Sequence, residues 1–390
     1  MSTHPFLKSL GLKNLLSFGP EKCNIDLLPL NVLIGPNGSG KSNLIEAIEL
    51  LHSCATDTAL PRTISEGGGI SEWIWKGGSE NEAEVEAILN FGRPDSRRVD
   101  SLMHRLVLGR EQERMVVANE EITYPYLSRD PSLYYRLLSS QASEKRKKTR
   151  FQEPRRSDHS VLVPWRDPKS FAQFSFLARQ YKDILIYRGW HITRYSQIRQ
   201  PSRADLPSDG LLPDATNLSI LLSNILSSNM GENLEKRLRR FHKGYQKITT
   251  NIFGGNVQIY LDEKGTAPIS AYQMSDGFLR YLCLLAILCH PKPPPVICIE
   301  EPEIGLHPDM ILEVMDLLVE CSERSQIVIT THSDMIVDRF TDTPENVVVF
   351  EKEGASSSMK RLDRKELKEW LKKYRLGQLW AMGQLGGTRW

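Results

Sequence analysis

The octapeptide Gly35-Pro36-Asn37-Gly38-Ser39-Gly40-Lys41-Ser42 stands between an apolar run, Leu30–Ile34, and a segment carrying Leu44, Ile45, Ile48 and Leu51 at helical spacing. Strand, glycine-rich turn and helix in this order direct the chain to α/β folds in which the turn sits at the carboxyl edge of a sheet. The glycines let the backbone wrap closely, so that its N–H groups face phosphate oxygens, and the helix amino terminus adds a dipole favourable to anions. In this context the pattern is a phosphate-binding loop for a nucleoside triphosphate. Lys41 is expected to reach the β- and γ-phosphates, Ser42 to ligate Mg2+, and Asn37, Gly38 and Gly40 to line the cradle.

A second pattern answers the first. The apolar run Val296-Ile297-Cys298-Ile299 ends in Glu300-Glu301-Pro302-Glu303, which reads as a buried strand delivering carboxylates at its carboxyl end. One of them can stand beside Mg2+ and the next can orient water. Glu300 is therefore assigned to the metal shell and Glu301 to the attacking water. Phosphoryl transfer depends mainly on positioning and charge stabilisation, so a carboxylate in line with the γ-phosphate acts by holding and polarising the nucleophile.

The next strand, Gln326–Thr330, ends in Thr331-His332-Ser333 after a helix with Ile311, Val314, Leu317, Leu318 and Cys321 on one side. A βαβ crossover brings both strand ends to one edge. His332 is then placed to bond the γ-phosphate, or to hold the water and Glu301 in register. A fourth pattern, Gln273-Met274-Ser275-Asp276-Gly277-Phe278-Leu279-Arg280, opens a helix with Tyr281, Leu284, Leu285 and Leu288. Ser275 reads equally as an ordinary N-cap or as the start of a phosphate grip. This helix leads directly into the acidic strand and cannot easily fold back onto its own phosphate loop, so nucleotide on a second copy is the expected target of any grip.

The chain's 390 residues, 40% hydrophobic and 25% charged, suffice for one large or two moderate domains. Its net charge of +2 excludes a polyanion-binding field over the whole molecule. Cys23, Cys54, Cys283, Cys289, Cys298 and Cys321 stand singly, without metal spacing, and read as buried thiols in a reducing cytoplasm. No run approaches the about 20 apolar residues of a bilayer span, and the start lacks a signal-peptide core. A cytoplasmic protein without membrane contact is expected.

Four segments follow from composition. Residues 1–125 hold the phosphate loop, preceded by strands near Leu7–Leu12 and Ile25–Leu27 and followed by an antiparallel meander from Glu82 to Tyr124. Residues 126–255 read as an inserted, mainly helical subdomain. Residues 256–353 return to alternating strand and helix, and 354–390 form a basic amphipathic tail, helical from Lys360 to Arg375. Lys145, Arg146, Lys147, Lys148, Arg150, Arg155 and Arg156 gather around Phe151. They form either a solvated loop or a contact for nucleic acid.

The ordered set GPNGSGKS, MSDGFLR, CIEEPEIGLHP and TTHS resembles the ABC-class ATPase heads of the RecF, SMC and overcoming-lysogenisation-defect group. The likeness spans nearly the whole chain, because WHITRYSQIRQPSRADLP, ATNLSILL and LGQLWAMGQLGGTRW also look like its stand-alone members. It implies an ABC-type P-loop head with an antiparallel β lobe and an inserted helical subdomain, binding ATP and Mg2+. It also implies an ATP-sandwich dimer or higher oligomer, in which Lys41, Ser42, Glu300, Glu301 and His332 of one copy face Ser275 and Gly277 of the other. The loop Glu303–Pro308 would communicate across that dimer. MSDG in place of the LSGG common in transporters favours the RecF-like branch, and the absence of heptad arms excludes a cohesin-like rod. The glutamine that joins Mg2+ to the inserted lobe in related heads has two candidates here, Gln173 and Gln197. No fused nuclease motif follows His332, so a nuclease-like effector is expected as a separate protein. The expected role is an ATPase switch in antiviral defence, with a DNA-binding repair ATPase of RecF type as the alternative.

Overall fold

The computed structural model describes residues 5–56, 58–92, 99–123, 135–138, 158–163, 172–190, 192–241 and 244–387. Three sheets carry the architecture. The first contains β1 (Leu7–Lys13), β2 (Cys23–Asp26), β4 (Glu82–Gly92), β5 (Val99–Glu111), β6 (Arg114–Thr123) and β7 (Tyr135–Leu138), in the antiparallel order β2-β1-β4-β5-β6-β7. Along β4, Ala83, Val85, Ala87, Leu89 and Phe91 are buried while Glu86, Ile88 and Asn90 between them are only partly covered, which suits a sheet with one wetter face.

The central sheet holds β3 (Leu30–Ile34), β8 (Leu185–Arg188), β13 (Val296–Glu300), β14 (Gln326–Thr330), β15 (Val347–Glu353) and β16 (Ser356–Arg361), in the order β16-β15-β3-β14-β13-β8. All its pairings are parallel except the β15–β16 hairpin. β3, β13 and β14 are covered on both faces, so these strands read as nearly continuous apolar runs. Side chains nonetheless alternate between two cores. Val32, Ile297, Ile299 and Ile329 enter one, and Leu33, Cys298, Val328 and Val348 enter the other. The second core also takes in the first sheet and helix α1 (Lys41–Ser53), followed by α2 (Ala59–Glu66), α3 (Ile70–Trp73) and α4 (Ala172–Lys182). The first core receives α5 (Leu218–Leu226), α6 (Gly231–Phe241), α7 (Asp276–Leu288) and α8 (Pro308–Ser322). Apolar residues lie all round α7, and each residue from Phe278 to Leu288 except Arg280 is buried.

A four-stranded antiparallel sheet of β9 (Ser202–Arg203), β10 (Tyr245–Phe253), β11 (Asn256–Glu263) and β12 (Ile269–Ser270) leads into α7. The boundary expected at 255 falls in the tight turn of the β10–β11 hairpin. The stretch 126–255 is not one helical unit, because Leu185–Arg188 runs beside Ile297–Glu300 as an edge strand of the central sheet. The cluster Lys145–Arg156 lies outside the described residues.

The tail departs from the expected helix between Lys360 and Arg375. Lys360 and Arg361 close β16, and only α10 (Arg364–Leu367) is helical before a series of turns. Each residue of Ser356–Arg361 pairs with a residue of β15, so sheet partnership outweighs local helical spacing. Trp370 and Tyr374 stay exposed, whereas Leu379 and Trp380 of α11 (Leu376–Ala381) are buried against α9 (Asp334–Asp338) and its neighbours. Among the described residues no helix is long and apolar enough to cross a membrane.

Candidate nucleotide site

Strand β3 is flanked by β14 and β15, and β14 by β13, so the carboxyl ends of β3, β14 and β13 meet at one edge. The phosphate loop leaves β3 and turns into α1 through Gly40, whose φ of 104° is left-handed. A side chain there would also meet Ser357 Oγ and Ser17 Oγ at 2.5 and 2.7 Å, so glycine is required on both counts. Lys41 is buried, and its ammonium donates to the loop's own carbonyls, Gly35 O at 2.8 Å and Pro36 O at 2.9 Å. Burial pushes its pKa down, against the pull of the nearby Glu301 and Glu300 carboxylates. Phosphate oxygens would offer this cation stronger partners than carbonyls do.

Ser42 Oγ donates to Glu300 Oε2 at 3.1 Å, bringing together the two oxygens expected to hold Mg2+. A hydroxyl and a carboxylate form a hard-oxygen pair suited to that ion, whose remaining positions are ordinarily filled by phosphate and water. Among the described residues no cluster of three or more His, Cys, Asp or Glu makes a self-sufficient metal cage. The residues present therefore fit a metal that arrives with its nucleotide.

Glu301 adopts φ 47°, an uncommon setting for a residue with a side chain. Its N–H donates to Thr330 O at 3.1 Å and lies 3.2 Å from Thr330 Oγ1, which pins it to β14. The Glu301 Oε1 to His332 Nε2 distance is 3.8 Å. His332 is in turn fixed by Glu303, whose Oε1 accepts from Thr331 Oγ1 at 2.6 Å and from His332 N at 3.0 Å. Burial pushes the Glu303 carboxyl above its ordinary range, opposed by these hydrogen bonds.

One participant escaped the sequence reading. Arg188 ends β8 in register with Glu300. Its Nη2 donates to Glu49 Oε2 at 2.5 Å, and its Nε lies 3.4 Å from Glu300 Oε1. The signal was an apolar run, Ile184–Tyr187, ending in a charge before Gly189, the same grammar as the acidic strand. Neither glutamine candidate occupies this strand end. Gln173 lies in α4, and Gln197 opens a short turn that ends at Arg199.

Ser275 and Gly277 have local work of their own. Ser275 caps α7 by accepting from Phe278 N at 3.2 Å, a contribution of about 1 kcal/mol for such a cap. A side chain on Gly277 would meet Gly305 O at 2.8 Å, so glycine permits α7 to touch the Glu303–Pro308 loop. Arg280 Nη1 also donates to Ile304 O at 3.2 Å. The described contacts of Ser275 and Gly277 thus run to α7 and this loop, while those of Lys41 run to Gly35 and Pro36. A cleft of about 690 Å3 opens beside Ser275, Gly277, Gly305 and His307.

The protein family described as "AAA domain, putative AbiEii toxin, Type IV TA system" matches residues 30–338. A Helicobacter pylori (strain ATCC 700392 / 26695) protein described as an ATP/GTP phosphatase is 24% identical over 348 residues, covering 85% of this chain and 86% of that protein. The crystal structure of an Smc head bound to the C-winged helix domain of ScpA superposes with a TM-score of 0.57 at 16% identity, over 93% of this chain and 99% of that one. An Smc head with an extended coiled coil, bound to the C-terminal domain of ScpA and derived from Pyrococcus furiosus, gives 0.57 at 15% identity, over 95% and 99%. These two likenesses concern the fold.

Proposed function

Because the chain belongs to the family of AAA domains described as putative AbiEii toxins of type IV TA systems, and is an ABC-type P-loop ATPase of the RecF/SMC group, we propose that it hydrolyses ATP in a site completed by a second copy. Closure of that dimer regulates a separately encoded effector, most fittingly a nuclease, in antiviral defence. The observation that carries the catalytic half is the junction of Ser42 with Glu300 beside Glu301 and His332, at the edge where the phosphate loop leaves β3. The family description supports the defence setting.

Lys41 exchanges the Gly35 and Pro36 carbonyls for β- and γ-phosphate oxygens when ATP enters. Ser42 and Glu300 would hold Mg2+, which would supply positive charge to the phosphate oxygens. Glu301 orients water toward the γ-phosphate and takes up its proton, with His332 keeping the carboxylate and the phosphate in register. Ser275 and the first N–H groups of α7 close over the triphosphate of the other copy. The alternative of direct DNA contact rests on Lys145–Arg156, outside the described residues, and no structural observation favours it.

Purified protein is expected to release phosphate from ATP, with Lys41→Ala losing nucleotide binding and Glu301→Gln keeping it while turnover falls by about a hundredfold or more. A Glu301→Gln chain that hydrolyses at the wild-type rate would remove the assigned role. For the defence setting, phage plating on cells carrying the gene with its genomic neighbours should drop, and Lys41→Ala should restore it.

A further inference from the structure

Arg199 is 4% exposed, and its whole guanidinium is spent on one short segment and one loop. Its Nη1 donates to the carbonyls of Ala271 at 2.9 Å and Met274 at 2.6 Å, with Tyr272 O at 3.3 Å. Its Nε donates to Thr193 O at 2.9 Å, and its Nη2 binds the carboxylate of Asp276. A single side chain therefore grips the carbonyls just before Ser275 and the carboxylate just after it. Ser275 is the only residue between Met274 and Asp276.

We propose that Arg199 is a positioning residue for the Ser275–Gly277 motif, setting the loop before α7 in the conformation that meets nucleotide on the second copy. This inference rests on the sandwich reading above. A trans peptide plane sets its C=O and the following N–H antiparallel. Since Met274 O points at Arg199, the N–H of Ser275 is turned away from the guanidinium. That N–H belongs with the first amides of α7, the ready-made donors for an anion.

The chemistry of the side chain favours this role. A planar fork with five donors can fix several acceptors in one geometry, which an ammonium on a flexible stem does not. A buried guanidinium without its partners is costly, so the loop and the cation hold one another in place. Arg199 also lies downstream of β8 on the chain, and β8 ends at Arg188 beside Glu300. The segment that leaves the metal side of one site thus reaches the serine motif that serves the other.

The test uses full-length chains carrying Glu301→Gln, with mass measured by light scattering in Mg-ATP and ATP affinity measured by equilibrium titration. Adding Arg199→Met should weaken dimerisation by about tenfold or more, equivalent to about 1.4 kcal/mol, while ATP affinity of the single chain stays within about twofold. This split separates positioning of α7 from general damage, because the phosphate loop reports on the integrity of the head. Arg199→Met dimers as stable as the parent would overturn the role of Arg199 and leave the sandwich standing. A Glu301→Gln parent that stays monomeric in saturating Mg-ATP would overturn the sandwich and the role together. Should Arg199→Met fail to fold by circular dichroism, Asp276→Asn decides, since Asp276 is more than half exposed. Weaker dimers with unchanged ATP affinity support the proposal, and dimers equal to the parent overturn it.

Discussion

Arg188 Nε lies 3.4 Å from Glu300 Oε1, with the two residues in register on neighbouring parallel strands. The opposite oxygen of the same carboxylate accepts from Ser42. Glu300 is thus shared between a fixed cation and the position proposed for a metal. Arg188 offsets the charge of Glu300 and Glu49, and would oppose a metal ion held at the proposed position.

Arg188→Met should therefore bind Mg-ATP at lower Mg2+ concentration than wild type. The expected gain is on the order of 0.5–1 kcal/mol, because the pair is partly exposed and screened. Affinity for ATP in excess chelator should fall in the same variant, since a cation near the phosphates has gone. A Mg2+ titration followed by nucleotide binding measures both. An unchanged Mg2+ requirement would contradict this placement of Arg188.

Glu303 makes a prediction about pH. Its carboxyl is pushed above the ordinary value of 4.5 by burial, and its Oε2 is enclosed without a partner among the described residues. An acid that holds its proton more tightly when folded loses folding stability as pH rises from the unfolded value through the folded one. Glu303→Gln keeps an acceptor for Thr331 and His332 and removes the buried charge. Its stability relative to wild type should rise from pH 4.5 to neutrality, by on the order of 1 kcal/mol per unit of pKa displacement. Urea denaturation at several pH values reads this directly, and a difference independent of pH would refute it.

The parts of the head that stood out in the sequence are those whose local pattern and burial agree. Leu30–Ile34 and Val296–Glu300 are wholly or almost wholly buried, so their apolar runs declare them; the first leads into the phosphate loop and the second ends in Glu300. The β13–α8–β14 crossover follows the same logic, and it brings Glu301 and His332 to one edge. Strand β8 was hidden because it has four residues and a half-buried pattern, and only its pairing with β13 makes it a strand. Arg199 was hidden for a deeper reason. Its partners are backbone carbonyls distant in sequence, and no residue type marks a carbonyl as an acceptor awaiting a guanidinium. Lys360–Arg361 misled because helical spacing and strand alternation coincide over so short a run, and β15 settles the matter through non-local hydrogen bonds.

The dual engagement of Ser275 bears on dimer geometry. As N-cap it already accepts from Phe278 N, so its Oγ–H is left to donate outward while the cap holds. Ser275→Ala should cost the helix about 1 kcal/mol and should also weaken ATP-dependent association, whereas Ser275→Asp should retain the cap yet repel triphosphate. The two substitutions separate helix stability, read by thermal unfolding, from association, read by sedimentation. Equal association of Ser275→Asp and wild type in Mg-ATP would show that Ser275 serves only its own helix.

The most direct measurement is the mass of the Glu301→Gln chain in solution, with and without saturating Mg-ATP. Two heads clasping two nucleotides predict a doubling of mass that appears with Mg-ATP and vanishes when Ser275→Arg is added. A chain that binds ATP with full occupancy yet keeps the mass of a single copy at every concentration tested would contradict a site completed by a twin.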